Sequence, residues 1–401
     1  MNIKIKSNII ELLNRPNELR IIRSLLTNGD SSRPELSHLL SLSLSSVTNV
    51  VDGLIKKGYV LETGYKKLEK GRSSAVLGAV RSRFVSIGVG ISKYKVSVEA
   101  IDLEGTSRYC AISNLDPNSW ENNFSTISAL ISKFIDQSLN YDSHVLGIGI
   151  ARPGFVEFMK KTLPFSDELF AWDDAIVQSY FEKEFSLGVE MASLSSAALS
   201  GEVYFGCCKE FDSSLLVNIS STDISIAMIR KKIIDKNIDA HSHVFGKRAI
   251  SVDANQLNKI HETSLNQYAC KKAIEENYCN LDAQKVELDY TSIINQAKMG
   301  NIVAVQAVSK AATYIGIAIA DLIALLVPQN CVITGEIVDD SNIYYKIATA
   351  IARERVKRLL HSDVVFSQPE LKGIEPDTDT LTNYSLGKGA ASVVFENLYT
   401  E

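Results

Sequence analysis

Two stretches of the chain carry side chains whose types and spacing suit chemistry or recognition. In "LSLSSVTNVVDGLIKK" (42–57), Ser45, Ser46, Thr48 and Asn49 stand between apolar residues that recur at helical spacing, and Lys56 and Lys57 follow. Small hydrogen-bonding side chains on one helical face let a backbone come close to base edges or phosphates, and lysines add a salt-sensitive attraction to any polyanion. In "LSSAALSGEVYFG" (194–206), a run of small residues closes on a single carboxylate, Glu202. Such a run has the grain of a helix start in a fold that handles nucleotides or sugars. Leucine and serine stand where an acid would act on a hydroxyl.

Metal and redox chemistry find little support. Cys110, Cys207, Cys208, Cys270, Cys279 and Cys331 follow neither a disulfide framework nor a C-x-x-C spacing, so reduced thiols are expected. His241, His243 and His261 are the histidines close enough in sequence to gather a metal, but no cysteine falls between 209 and 269. A tetrahedral zinc site needs about four nitrogen or sulfur ligands. No metal and no cofactor are expected.

The elements that must position these residues are legible around them. Residues 17–28 place Leu19, Ile22, Leu25 and Leu26 on one helical stripe, and Asn28-Gly29-Asp30 stops it. Ser31 or Ser32 then caps a second helix with Pro34 in its first turn, where the missing N–H costs nothing. A third helix carries the stripe Val47, Val50, Val51, Leu54 and Ile55 and ends at Gly58; a basic strand–loop–strand follows through "KKLEKGRSSAVLGAV". Three short helices and a hairpin predict a winged helix-turn-helix, with the third helix fitting a major groove. The expected DNA contacts are Ser32, Arg33, Ser45, Ser46, Thr48 and Asn49, with Lys56, Lys57, Lys66, Lys67, Lys70 and Arg72 supplying phosphate attraction.

Charge agrees with that division. Residues 1–80 hold 12 Lys/Arg and 7 Asp/Glu, a net of +5, whereas the rest hold 30 and 40, a net of −10. A basic head on an acidic body suggests that only the head meets a polyanion. Two units are expected, 1–80 and 81–401. No run of 18 apolar residues and no signal-peptide pattern is present, so the reading is a cytoplasmic protein without a membrane span. In the body, 83–105 and 213–234 each read as strand–turn–strand, which suggests two related halves.

The ordered series "SRPELSHLLSLSLSSVTNVVDGLIKKGYV", "GRSSAVL", "AIDLEG", "GIGIARPG", "AALSGEVYFG", "IADLIALLVPQNCVITG" and "SLGKGAAS" resembles the ROK family of repressors, open reading frames and kinases, in its DNA-binding, sugar-responsive branch. The resemblance spans nearly all of residues 10–395. It implies a mainly α winged helix-turn-helix followed by an α/β, two-lobed, actin-like (ribonuclease-H-like) body. Kinase members carry an Asp in a first phosphate turn; Gly90 falls there, and Ser92 replaces a glycine. Their second, glycine-rich phosphate loop is "SSTDISI" here, where Asp223 would repel a phosphate and no glycine tolerates the required backbone. Registered on Gly201-Glu202, the family's general base falls on Leu194, which cannot accept a proton, and the second asparagine of the family's pattern falls on Ser196. The family's E-x-G-H has Ala240 for its Glu and keeps His243.

The resemblance therefore implies a regulator and not an enzyme: a repressor of carbohydrate-related genes, at least a homodimer or a homotetramer, on a pseudo-palindromic double-stranded operator. The candidate effector contacts for a sugar or sugar derivative are Trp172, Asp173, Ser193, Ser196 and His243, with Asp174 alongside. Control by a protein partner, and a sugar kinase, are the alternatives.

Overall fold

A computed structural model describes residues 16–66, 73–91, 95–116, 119–140, 143–152, 174–253, 261–361, 363–371 and 386–398. Ser92, Lys67, Lys70, Arg72, Trp172 and Asp173 lie outside the described residues.

The head starts with α1 (Pro16–Thr27), then β1 (Ser31–Ser32), α2 (Arg33–Leu40) and α3 (Leu44–Lys56), and closes with β2 (Val60–Lys66) and β3 (Ser74–Ala79). Its sheet runs β1-β3-β2. The α1 stripe differs by one position from the sequence expectation: Ile21 joins Ile22, Leu25 and Leu26 in the core, and Leu19 is only half-buried. The N-cap of α2 is Ser32, in a capping box with Glu35; each of the two supplies the other's backbone N–H with an acceptor. Val47, Val51 and Leu54 of α3 complete the head core.

The body holds two five-stranded sheets. The first is built from β4 (Phe84–Ile91), β5 (Lys95–Asp102), β6 (Ser107–Asn114), β7 (His144–Arg152) and β8 (Val189–Ser193), in the order β6-β5-β4-β7-β8. Helices α4 (Trp120–Asn140) and α5 (Asp174–Phe185) belong to this lobe, and α6 (Leu194–Phe205) leads out of it. The second sheet uses β9 (Ser213–Ile219), β10 (Ile224–Arg230) and β11 (Ile233–Ile234). After α7 (Lys236–Ala240), α8 (Val244–Lys247), the ribbon β12 (Ala249–Asp253) with β13 (His261–Ser264), α9 (Leu265–Ala269), α10 (Lys271–Leu281), α11 (Tyr290–Lys298) and α12 (Ile302–Leu326), the chain adds β14 (Asn330–Thr334). The short α13 (Glu336–Asp340), α14 (Asn342–Leu360) and β15 (Val365–Ser367) complete the order β11-β10-β9-β14-β15.

Numbered within each sheet by chain order, both run 3-2-1-4-5, with an antiparallel meander and two added parallel strands. The two halves are the same topology used twice. Helix α12 is long and apolar enough to span a bilayer by length alone. Its Ala304, Ala307, Val308, Ala311, Ile315 and Ile319 are instead buried in the second lobe's core, against α14.

The last helix, α15 (Leu386–Val393), and the 3-10 turn Val394–Leu398 join the parts. Helix α15 lies so close to β4 that a Cβ on Gly88 would sit 1.8 Å from the Gly387 carbonyl oxygen. On its other side, a Cβ on Gly389 would come within 2.7 Å of the Ala197 carbonyl oxygen of α6. Phe395 and Ala391 enter the same apolar cluster as Ile21, Leu25 and Leu36 of the head. The Arg23 guanidinium donates to the Asn397 carbonyl, Arg81 to that of Leu26 at 3.2 Å and Arg83 to that of Lys57 at 3.0 Å. Head and body share one core.

Candidate nucleic-acid interface and interlobe site

Helix α3 stands on its N-cap, Ser43. The Ser43 hydroxyl accepts the Ser46 N–H at 3.1 Å, donates to the Ser46 hydroxyl at 2.8 Å and lies 3.1 Å from that of Ser45. Thr48 donates to the Leu44 carbonyl at 2.8 Å. Ser45, Thr48, Asn49 and Asp52 recur at i, i+3, i+4 and i+7, so they share one face, and Ser45 and Asn49 are exposed. Leu44, the first residue of the helix, is 51% exposed. Lys56 is exposed at the far end.

Three expected DNA contacts have partners within the head. Ser32 is 2% exposed and its hydroxyl is engaged with Glu35, so it caps α2. Arg33 reaches Asp52 at 2.8 Å and Glu62 at 3.6 Å, which ties α2 to the reading helix and the wing. Lys57 pairs with the buried carboxylate of Glu18 at 3.2 Å and braces α1 against α3. Residue type does not show such internal partners, which come from other elements of the head. Lys66 lies on the exposed wing with a 2.8 Å surface pair to Glu35. That ammonium, with the Ser32 N–H and hydroxyl, holds the Glu35 carboxyl down at about 2.

The second region lies where α6 leaves the first sheet. Ser193 caps α6: its hydroxyl accepts the Ser196 N–H at 3.1 Å and donates to Asp239 Oδ1 at 2.6 Å. Asp239, on α7 of the other lobe, is fully buried, and its Oδ2 has no hydrogen-bond partner. The buried Ser196 hydroxyl also has none. Leu194 is buried among Ala151, Ala192 and Ala390. Asp239 is absent from the expected contacts because Ala240 beside it takes the family's Glu position; its signal in the sequence is an acid two residues before His241. His243, just ahead of α8, is half-buried, and burial, Lys247 and His241 lower its pKa.

The two phosphate-loop positions are filled from within. Gly90 lies inside β4, and a Cβ there would strike Leu386 of α15 at 2.4 Å, so its missing side chain makes room for a helix. In the second loop, Ser220 and Asp223 close on each other, the Ser220 hydroxyl donating to the Asp223 carbonyl at 2.8 Å. The Asp223 carboxylate accepts Asn266 Nδ2 at 2.7 Å, and burial raises its pKa. Ser221 and Lys271 both bond to Glu336, so this loop holds carboxylates where phosphate oxygens would need donors.

Glu202 is structural. It is buried, Oε2 accepts the Cys207 N–H at 2.7 Å, and Oε1 accepts those of Glu370 and Leu371 at 3.0 and 2.9 Å. Cys207 and Cys208 are free thiols with sulfurs 3.8 Å apart. Among the described residues, no group of three His, Cys, Asp or Glu side chains is gathered for a metal.

The chain matches the family model "ROK family" over residues 85–234 and 261–373, and the model "Winged helix-turn-helix DNA-binding" over 14–60. It is 26% identical over 325 residues to the xylose repressor of Bacillus subtilis (strain 168), covering 80% of this chain and 83% of that protein. A xylose repressor of Caldicellulosiruptor bescii is 25% identical over 338 residues, with the same coverage. The solved structure of a ROK family transcriptional regulator, a homologue of the Escherichia coli MLC protein, superposes with a TM-score of 0.71 at 19% identity over 96% of each chain. A ROK hexokinase from Thermus thermophilus superposes at 0.64 and 17% identity, over 79% of this chain and 99% of that one. The likeness to the solved structures shows the fold alone.

Proposed function

The chain belongs to the ROK family, and from that premise we propose that it is a DNA-binding transcriptional regulator, a repressor of carbohydrate-related genes, whose body senses a ligand instead of turning one over. One observation carries the reading: α3 presents Ser45, Thr48 and Asn49 on one outward face of a winged head, while the body's general-base position is the buried Leu194. The names of the xylose repressors make D-xylose the first effector to try. The interlobe pair Asp239 Oδ2 and Ser196 Oγ supports a polyol there, since a carboxylate oxygen and a hydroxyl without partners suit sugar hydroxyls. Leu194 and the carboxylate-lined second loop support the absence of kinase activity. A homodimer or homotetramer on a pseudo-palindromic operator, in the cytoplasm, completes the proposal.

The test is a fluorescence-anisotropy titration of DNA from upstream of the protein's own gene against scrambled DNA, at two salt concentrations. Thr48→Ala with Asn49→Ala is expected to weaken the specific duplex by about tenfold or more and the scrambled one far less, because lost base contacts cost about 1–3 kcal/mol each. Equal losses on both sequences would remove α3 as the reading helix. Lys56→Ala and Lys66→Ala should weaken both sequences alike and flatten the salt dependence. ATP turnover with any hexose or pentose above a no-protein control would overturn the non-enzymatic reading.

A further inference from the structure

We propose that Leu44 is a sequence-reading residue that recognises thymine through its C5-methyl group. The proposal rests on the DNA-binding reading above and deepens it. The observation is what remains outward-facing once the start of α3 has satisfied its own hydrogen bonds. Ser43, Ser45 and Ser46 form a hydroxyl cluster around the N-cap, with Ser43 in contact with both others at 3.1 and 2.8 Å. Thr48 is turned back onto the Leu44 carbonyl at 2.8 Å. The hydroxyls that sequence alone would assign to base edges are thus partly engaged in holding the first turn together.

Leu44 stands between Ser43 and Ser45 in the chain. It is the first helical residue, it is 51% exposed, and it is absent from the head's apolar core. Among the described residues of the head, the other large apolar side chains left exposed are Leu39 on α2 and Leu61 and Tyr65 on the wing; Leu44 alone is on the reading helix. The N-terminal residues of a recognition helix are those that meet base edges in the major groove. The thymine methyl is the apolar group displayed there, and an apolar side chain is its complement. A leucine gains nothing from phosphate, from a base acceptor or from water at that position.

The geometry also separates Leu44 from Asn49, which is five residues on, about 1.4 turns along and about 140° round the same helix. Asn49 carries both donors and an acceptor and suits an adenine edge. Leu44 and Asn49 therefore meet different base pairs, one by an apolar and one by a polar contact.

The experiment begins with the full-length protein and a randomised double-stranded DNA pool, from which it enriches a binding duplex. Each thymine of that duplex is then replaced singly by uracil, which removes the methyl and leaves base pairing and O4 intact. With the wild-type protein, one or two thymines per half-site should show about fourfold weaker binding on replacement, the worth of roughly one buried methyl-sized group. Leu44→Ala should bind the thymine duplex as weakly as wild type binds the uracil duplex, and should show no further loss on uracil. Leu44 is exposed, so the variant should keep its fold; unchanged affinity for scrambled DNA and an unchanged salt slope check that. A uracil penalty that persists in Leu44→Ala overturns the assignment, as does a wild-type protein indifferent to every replacement. Failure to enrich any duplex is a different result: it removes the DNA-binding reading itself, and it is scored before any thymine is changed.

Discussion

At His144, burial against Tyr59 of the head and Phe84 of the body holds the imidazole neutral and pushes its pKa down to about 4. At Glu396, burial pushes the carboxyl up to about 7, opposed by Lys236 and the Ile234 N–H and reinforced by Glu190 and Asp239. The two act on stability with opposite sign. Unfolded His144 takes up a proton below about 6.5 while the folded residue refuses it until about 4, so its contribution is lost as pH falls. Unfolded Glu396 gives up its proton above about 4.5 while the folded residue keeps it to about 7, so its contribution is lost as pH rises. Between about pH 4.5 and 6.5 the two slopes oppose each other. His144→Gln should therefore unmask a stability that declines toward pH 6.5, and Glu396→Gln one that climbs, each by about 2–3 kcal/mol relative to wild type across the window. Urea unfolding at a series of pH values reads both; parallel curves for all three proteins would refute the attribution.

The elements differ in how much room they leave at their glycines, which makes them separately testable. Gly53 lies inside α3, and a Cβ there would meet nothing within 4 Å. Gly53→Ala should stabilise the protein by about 0.5–1 kcal/mol, because glycine sacrifices more chain entropy in a helix than alanine does. Gly389 is the opposite case: its Cβ would sit 2.7 Å from the Ala197 carbonyl, backbone against backbone. Gly389→Ala should cost about 1–3 kcal/mol by forcing α6 and α15 apart. Denaturant midpoints distinguish the two, and a neutral Gly389→Ala would mean that this contact is not tightly packed. The wing contributes differently. Its internal pairs, Arg33 with Asp52 and Glu62, and Lys66 with Glu35, set how β2 and α3 stand to each other before any DNA arrives.

For the molecule as a whole, the question is how a ligand between the lobes would reach a head that binds DNA. A continuous path exists: Asp239 bonds Ser193, Ser193 caps α6, α6 packs on α15 at Ala197 and Gly389, and the 3-10 turn after α15 accepts Arg23 of α1 at Asn397. A ligand that favours one lobe arrangement can shift the heads only through such differential contacts. For a polyol effector of the kind proposed above, Asp239→Asn should abolish both its binding and its release of DNA. Arg23→Ala should keep the binding and lose much of a coupling expected to be about 1–3 kcal/mol. Calorimetric effector binding paired with DNA anisotropy separates the two; full release by Arg23→Ala would show that the signal does not cross this contact.

Local patterning made the head's three helices and hairpin, and the repeated strand–turn–strand of the body, legible in the chain, because helix stripes, caps and strand alternation are local. Val47, Val51 and Leu54 declare the inner face of α3, Pro34 and Ser32 the start of α2, and the repeated strand–turn–strand the two related halves. The tertiary structure alone decided which polar groups are already engaged. Ser32, Arg33 and Lys57 read as open polar groups, but the fold brings Glu35, Asp52, Glu62 and Glu18 to them from elsewhere in the head. Asp239 looks like an ordinary surface acid until α7 buries it beside Ser193, 46 residues away in the chain. Glu202 reads as a site residue until three backbone N–H groups, two of them 168 and 169 residues distant, converge on it. Residue type states what a side chain can bond to, but its partners come from distant segments, and only the folded chain sets those distances.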